Sequence, residues 1–278
     1  MNLRLDGKVA ALTIKESLKE QFSLLKRKAK LAIVHYNDLA NASYLKGRLK
    51  IANELNVDVE VIEINDNNNT EDILNIINRL NNDSLIDGIM VDRPLPKKFD
   101  ENKILSSIIQ SKDVDGYTAN NLGNLLSNQK CFVSATPGAA IRLIDYYGID
   151  LTGKDVLVIG RSVNVGKPLA LLLLNKNATV TVAHSKTINL KEKCKKADAI
   201  FLALGKANFL TKDDVNENTI IVDIGINFDE QGKLCGDACK ECYDIVKAYS
   251  PVPGGVGVMT NIVLMENLLK AYRNNNEL

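Results

Sequence analysis

The residues whose spacing speaks most directly of chemistry lie between Asp155 and Thr187. Gly160 and Gly166 are separated by five residues, among them Arg161 and Ser162. Backbone amides at the start of a helix attract phosphate, and glycine lets a phosphate approach the chain closely. The spacing departs from the usual G-x-G-x-x-G, so the glycines alone are a weak signal. Further on stands His184-Ser185-Lys186-Thr187. An NAD site carries an acidic residue there for the ribose 2′-hydroxyl, and this chain has none. Ser185, Lys186 and nearby Arg161 suit a 2′-phosphate instead, which points to NADP. The plain alternative is a sheet unit that holds no dinucleotide.

A second group is acidic. Asp113 and Asp115 are two apart in Lys112-Asp113-Val114-Asp115-Gly116-Tyr117. In extended chain both would face one side and Val114 the other. A turn at Gly116 would split them, and the plain alternative is a capping or turn aspartate. Asp92 opens Asp92-Arg93-Pro94-Leu95-Pro96, whose prolines stop the preceding strand and fix an extended loop. In the run Ser250–Thr260, Pro253, Gly254 and Gly255 can bring backbone close to a flat ligand, the alternative being an ordinary loop. The five cysteines, an odd number in a chain without secretory signals, point to free thiols. Cys235, Cys239 and Cys242 are close together, but His35 and His184 are far from them in sequence, so no metal site is expected.

The elements that must position these residues follow from periodicity. Val156–Ile159 reads as a strand buried on both faces, Gly166–Leu174 as a helix and Ala178–Ala183 as a second strand, a βαβ unit. Strands over 200–204 and 219–224 extend it, and Gly225-Ile226-Asn227 follows the last strand's end. Upstream, 8–28 has helical spacing, 30–36 reads as a strand, 37–42 as a polar loop, 43–55 as a helix, 57–64 as a strand, 71–80 as a helix and 86–91 as a strand. That is a second open α/β sheet, and ligands on such sheets bind beyond the carboxyl ends of strands. Residues 35–44, 92–96 and 113–120 then gather around one cleft. A helix over 139–147 follows Thr136-Pro137-Gly138, another closes the chain over 259–272, and the polar tail 274–278 is expected to fray.

The 278 residues suffice for two modest domains. Lys and Arg total 35 against 34 Asp and Glu, a balance that argues against nucleic-acid or membrane-surface binding. No signal-peptide pattern opens the chain and no apolar run approaches ~20 residues, which predicts a cytoplasmic protein.

Taken together these stretches resemble the bifunctional methylenetetrahydrofolate dehydrogenase/cyclohydrolase family. The resemblance is carried by Ser43-Tyr44, Pro94-Leu95-Pro96, Lys112–Gly116, Thr136-Pro137, Ile159–Ser162 with Val165-Gly166, His184–Thr187 and Pro251–Gly257. It implies an α/β chain of two domains with a cleft between them: a folate-binding catalytic domain over 1–136 plus 260–278, and a Rossmann-like NADP-binding domain over 137–259. It also implies a homodimer acting on tetrahydrofolate derivatives. The implied reaction is oxidation of 5,10-methylenetetrahydrofolate to 5,10-methenyltetrahydrofolate by NADP, then hydrolysis to 10-formyltetrahydrofolate. By the same likeness Arg161 and Ser185 hold the 2′-phosphate, Gly160 and Ser162 the pyrophosphate, and Ile226 lines the nicotinamide end. Asp115 bonds the pterin, Tyr44 stacks on it, and Pro253, Gly254 and Gly255 frame it.

Two positions depart from the family's pattern. Where it has a lysine one helical turn after the tyrosine, this chain has Arg48; where it has glutamine, this chain has Asp92. Lys46 and Lys50 lie roughly 200° from Arg48 around the helix and do not replace it. A lysine amine can be tuned toward neutrality and exchange protons. An arginine keeps its proton and is a poor base. A buried Arg48 would need a partner, and Asp92 could supply it. The expectation is a dehydrogenase with weak or absent cyclohydrolase activity. The alternatives are a fully bifunctional enzyme, another two-domain NADP oxidoreductase acting on a shikimate-like acid, or a non-catalytic folate or dinucleotide sensor.

Overall fold

The computed structural model describes residues 2–37 and 39–276, without the side chains of residues 39, 40, 41 and 43. The chain divides into two compact units, one of residues 14–133 with 264–278, the other of residues 1–13 with 134–263.

The strands and helices alternate as the periodicity predicts. They begin with β1 (Leu3–Arg4), α1 (Gly7–Ser23), β2 (Lys30–Tyr36), α2 (Leu39–Glu54), β3 (Asp58–Ile64), α3 (Thr70–Asn82) and β4 (Gly88–Val91). In the first unit β2, β3 and β4 form a parallel sheet in the order β3-β2-β4. Central β2 is buried from Leu31 to His35, and Ile73, Ile77 and Leu80 of α3 belong to the same core. That is the burial that makes KLAIVHY a continuous apolar run. Two short helices follow, α4 (Glu101–Ser106) and α5 (Ala119–Leu126).

The second unit continues with α6 (Ala135–Tyr146), β5 (Asp155–Ile159), α7 (Gly166–Leu174), β6 (Thr179–Ala183), α8 (Leu190–Lys196), β7 (Ala199–Leu202) and β8 (Ile220–Asp223). The hairpin strands β9 (Asn227–Phe228) and β10 (Leu234–Cys235), then β11 (Ala248–Tyr249) and α9 (Val256–Asn276), close the chain. The main sheet is all parallel in the order β1-β11-β8-β7-β5-β6. This is the expected open, doubly wound architecture.

Several boundaries differ from the sequence reading, each for a physical reason. Strand β1, which the sequence reading did not expect, hydrogen-bonds to β11 at the edge of the six-stranded sheet. Helix α6 begins at Ala135 and not after Pro137, because proline is tolerated in a first turn where its missing N–H is not needed. Helix α2 begins at Leu39, inside the expected loop over 37–42, whose residue 38 lies outside the described residues. The tail was expected to fray from 274, yet α9 runs to Asn276, whose side chain donates to Asp87 at 3.1 Å and accepts from Arg27 at 3.3 Å. Residues 277 and 278 lie outside the described residues.

Candidate active site

Each of the two parallel sheets reverses its strand order once. Strand β2 has β3 on one side and β4 on the other; β5 has β6 on one side and β7 on the other. Such switch points open a crevice beyond the strand's carboxyl end. The candidate residues gather at these two ends.

At the β2 end, His35 and Asp92 are side by side, since Val34 pairs with Val91 and the Asp92 amide donates to the Val34 carbonyl at 2.9 Å. His35 Nδ1 lies 2.7 Å from Asp92 Oδ2. A carboxylate oxygen only accepts, so that ring nitrogen carries the proton. Helix α2 presents Tyr44 and, one turn on, Arg48. Tyr44 is exposed, while Arg48 reaches inward and donates from Nη1 to Asp92 Oδ1. Both oxygens of Asp92 are thus engaged, and its side chain is only 2% exposed, as is fitting for a buried charge with two partners. The structure brings together the two residues that depart from the family pattern, Arg48 and Asp92, and adds His35, which the sequence reading placed near the site without a role. Ser43's side chain lies outside the described residues.

The two aspartates of the Lys112–Gly116 run part company. The chain is not extended there: the Gly116 amide donates back to Asp113 at 3.1 Å, and Gly116 takes φ +69°, where glycine is favoured. Asp113 accepts from the amides of Tyr117 and Thr118 and from Asn121 Nδ2 at 3.2, 2.8 and 2.7 Å, pinning the entry to α5. It is a turn aspartate, Thr118 being the N-cap of α5, and Asp115 is left for other work. Burial pushes the Asp115 carboxyl up to about 6, against the pull of Arg93 and with a further push from Asp113. Arg48 and Asp92 act on it too, with opposite signs, so Asp115 belongs to the same cluster. Arg93 lies over the Tyr117 ring, 3.4 Å from its centroid, which holds that cation in place.

Lys112, buried beside this run, has a structural task. Its ammonium donates to the carbonyls of Leu80, Asn81 and Asp83 at 2.9, 2.8 and 2.7 Å, closing the carboxyl end of α3.

At the β5 end the site is made of backbone. The Gly160 amide donates to Ala183 at the end of β6, at 2.9 Å. Gly160 has φ +130°, and a Cβ there would stand 2.3 Å from the Ala203 carbonyl oxygen beyond β7. Ser162 Oγ accepts from the amides of Val165 and Gly166 at 3.1 and 3.4 Å, just before α7. Its own proton is what it has to offer an acceptor such as phosphate. After β6 the chain turns on itself: Thr187 donates to the His184 carbonyl, and its hydroxyl accepts from the His184 amide, both at 2.8 Å. That turn exposes Ser185 and Lys186, and Arg161 is exposed beyond the neighbouring strand. A narrow glycine turn, a hydroxyl at a helix start and exposed cationic and hydroxyl groups fit a dinucleotide with a 2′-phosphate. Ile226, beyond β8, is 49% exposed, and a Cβ on Gly257 would meet its Cδ1 at 4.0 Å. Pro253 is exposed, Gly254 and Gly255 are buried, and all three lie in the turn that leads into α9.

Two buried carboxylates brace this second rim, and the sequence reading missed both. Asp237 accepts from the amides of Leu204, Gly205 and Lys206 at 2.7, 3.2 and 2.7 Å and from Asn227 Nδ2 at 2.9 Å. Asp223 accepts from the amides of Gly225, Asp237 and Ala238 at 2.9, 3.1 and 2.8 Å. Burial pushes Asp223 up to about 7 in spite of those donors. The available signal was glycine: a Cβ at Gly225 would strike Asp237, and one at Gly236 would strike Asp223.

Comparison with known proteins gives consistent matches along the chain. Residues 5–115 match the model of the tetrahydrofolate dehydrogenase/cyclohydrolase catalytic domain, and residues 134–276 that of the NAD(P)-binding domain of the same proteins. A relative from Clostridium novyi (strain NT), named Bifunctional protein FolD, is 42% identical over 98% of this chain and 100% of its own length. The crystal structure of the bifunctional enzyme FolD from Campylobacter jejuni matches with a TM-score of 0.96 at 40% identity, covering 99% of each chain. A Trypanosoma brucei methylenetetrahydrofolate dehydrogenase-cyclohydrolase, complexed with NADP and an inhibitor, matches with a TM-score of 0.94 at 28% identity, over 100% of this chain and 99% of its own.

Proposed function

The chain belongs to the tetrahydrofolate dehydrogenase/cyclohydrolase family, and from that footing we propose that it oxidises 5,10-methylenetetrahydrofolate to 5,10-methenyltetrahydrofolate with NADP, a step of one-carbon metabolism, and hydrolyses the product poorly or not at all. NADP, when bound, accepts the hydride. The β5 rim supports its phosphates: Gly160 and Ser162 at the pyrophosphate, Arg161 and Ser185 at the 2′-phosphate, with Ile226 at the nicotinamide end. The β2 rim holds the pterin: Asp115 as its hydrogen-bond acceptor and Tyr44 as the stacking face, with Pro253, Gly254 and Gly255 framing the ring from their own turn. Hydride transfer asks little acid–base help; it asks for placement and the exclusion of water. Hydrolysis is different, because water attacking the methenyl carbon must give up a proton.

The observation that carries the second half of the proposal is the contact between Arg48 and Asp92. Arginine stays charged, and here its guanidinium is committed to a carboxylate that His35 also engages. No neutral amine stands one turn beyond Tyr44. The test is direct. Purified protein given 5,10-methylenetetrahydrofolate should reduce NADP. A double variant, Arg48→Lys with Asp92→Gln, should keep that activity and gain hydrolysis of the methenyl product. Failure of NADP reduction would sink the dehydrogenase assignment; no gain in the double variant would sink the role given to Arg48.

The homodimer belongs to the same reading. Strand β6 pairs on one side only among the described residues and exposes Val182, and light scattering reads the state. A cytoplasmic setting suits five free thiols. Among the described residues no helix is long and apolar enough to cross a membrane.

A further inference from the structure

The Cys239-Lys240-Glu241-Cys242 run plays no part in the reaction above, yet its two sulfurs are 3.3 Å apart. Cys239 is half-buried at the start of a single 3-10 turn, Lys240–Asp244, and Cys242 is fully buried inside it. Two thiols in contact across a C-x-x-C can serve a metal or a redox couple. A structural zinc site needs four donors, and among the described residues no group of three or more His, Cys, Asp or Glu is arranged to hold a metal ion. The redox use remains. A disulfide bond is ≈ 2.05 Å long, so an approach of about 1.3 Å joins the pair.

The pair is also wired to the second rim. The Cys239 amide donates to Leu210 at 2.9 Å. The two residues before it are Asp237, which holds the amides of residues 204–206, and Ala238, whose amide hangs from Asp223. Drawing Cys239 toward Cys242 therefore pulls on the carboxylate that shapes the loop after β7.

We propose that Cys239 and Cys242 form a redox site that closes to an intramolecular disulfide by exchange with a small-molecule disulfide, and that closure loosens the amides Asp237 holds. Cys239, the more accessible, gives its proton to water, and its thiolate attacks one sulfur of the disulfide RSSR. An S–S bond forms between Cys239 and one RS group, the S–S bond of RSSR breaks, and RS⁻ leaves to take up the proton. Cys242 then gives up its proton and attacks the Cys239 sulfur; the protein disulfide forms and the second RS⁻ leaves as RSH. Two protein thiols are oxidised by two electrons, and RSSR is reduced to two RSH. Burial, and the hydrogen bond with Cys239, hold the Cys242 thiol above its ordinary range, so Cys239 attacks first and Cys242 reacts only once the mixed disulfide lies in contact with it.

The test uses the whole chain with oxidised glutathione as probe. After incubation and alkylation, two of the five thiols should be lost without added mass, and peptide mapping should join Cys239 to Cys242. Amide exchange at residues 204–206 should quicken several-fold and recover on reduction. Cys242→Ser should stop at a glutathione adduct on Cys239, and Cys239→Ser should leave Cys242 unmodified. A chain that keeps all its thiols, a bridge between other cysteines, or closure with unchanged exchange at 204–206 would each overturn the proposal. None of these readouts needs bound cofactor or folate, so they stand apart from the dehydrogenase assignment.

Discussion

His35 is the last residue but one of strand β2 and Gly160 follows the end of strand β5, and both are the strands about which their sheets reverse order. The same topological position is filled in opposite ways. Around His35 the rim is a cluster of charged side chains: Asp92 between His35 and Arg48, with Asp115 and Arg93 beside them. Around Gly160 the rim is backbone, kept in shape by buried carboxylates that accept from its amides. The comparison teaches where change is tolerated. A side-chain rim can exchange lysine for arginine and glutamine for aspartate without moving the backbone, and so alter chemistry while the fold stays. A backbone rim leaves no such freedom, because any Cβ at Gly160 meets a carbonyl.

The largest expected effect follows from that contrast. Gly160→Val should lose dinucleotide binding by more than ~100-fold and cost roughly 2–4 kcal/mol of stability, read by NADP titration and thermal melting. An undiminished affinity would break the distinction between the rims. At the other end, Asp115→Asn should lower kcat/KM about 100-fold, roughly 2.7 kcal/mol of transition-state binding, with no loss of melting temperature. A variant that melts early would make Asp115 structural.

The pH dependence sharpens the same point. The Asp115 carboxyl titrates at about 6 in the folded chain, above the ~3.9 of an unfolded one. The folded state therefore holds the proton more tightly. This group's penalty on stability is full above pH ~6 and disappears as pH falls toward ~4. With Asp115 in its proposed role as acceptor for the pterin's donors, only the ionised form serves, so dehydrogenase activity should fall below pH ~6. Asp115→Asn should erase both trends. Ser185→Ala, the mildest change, should weaken NADP about 10-fold and leave NAD binding as it was, one charge-assisted hydrogen bond being lost.

Legibility in the sequence followed the same divide. The helix 166–174 and the strand 30–36 were readable to the residue, because each is a dense apolar run with a clear stop. Strand β1 was not, for two exposed residues carry no period, and only pairing with β11 makes them a strand. Gly160 announced itself by its place between strand and helix. Arg48 and Asp92 stood out as departures and could be paired by the argument that a buried guanidinium needs an anion. His35 was hidden, since a histidine at the end of an apolar strand looks the same whether it packs or bonds a carboxylate. Asp223 and Asp237 were hidden as well, because their partners are amides far away in the chain, and no local spacing records them.

The central claim is that the β2 rim keeps a pterin site while the Arg48–Asp92 pair removes the base that hydrolysis needs. The most direct measurement supplies purified protein with 5,10-methenyltetrahydrofolate and follows its disappearance against buffer alone, beside the rate of NADP reduction from the methylene compound. The account predicts loss of the methenyl compound scarcely above buffer while NADP reduction proceeds. Hydrolysis keeping pace with the dehydrogenase would contradict it.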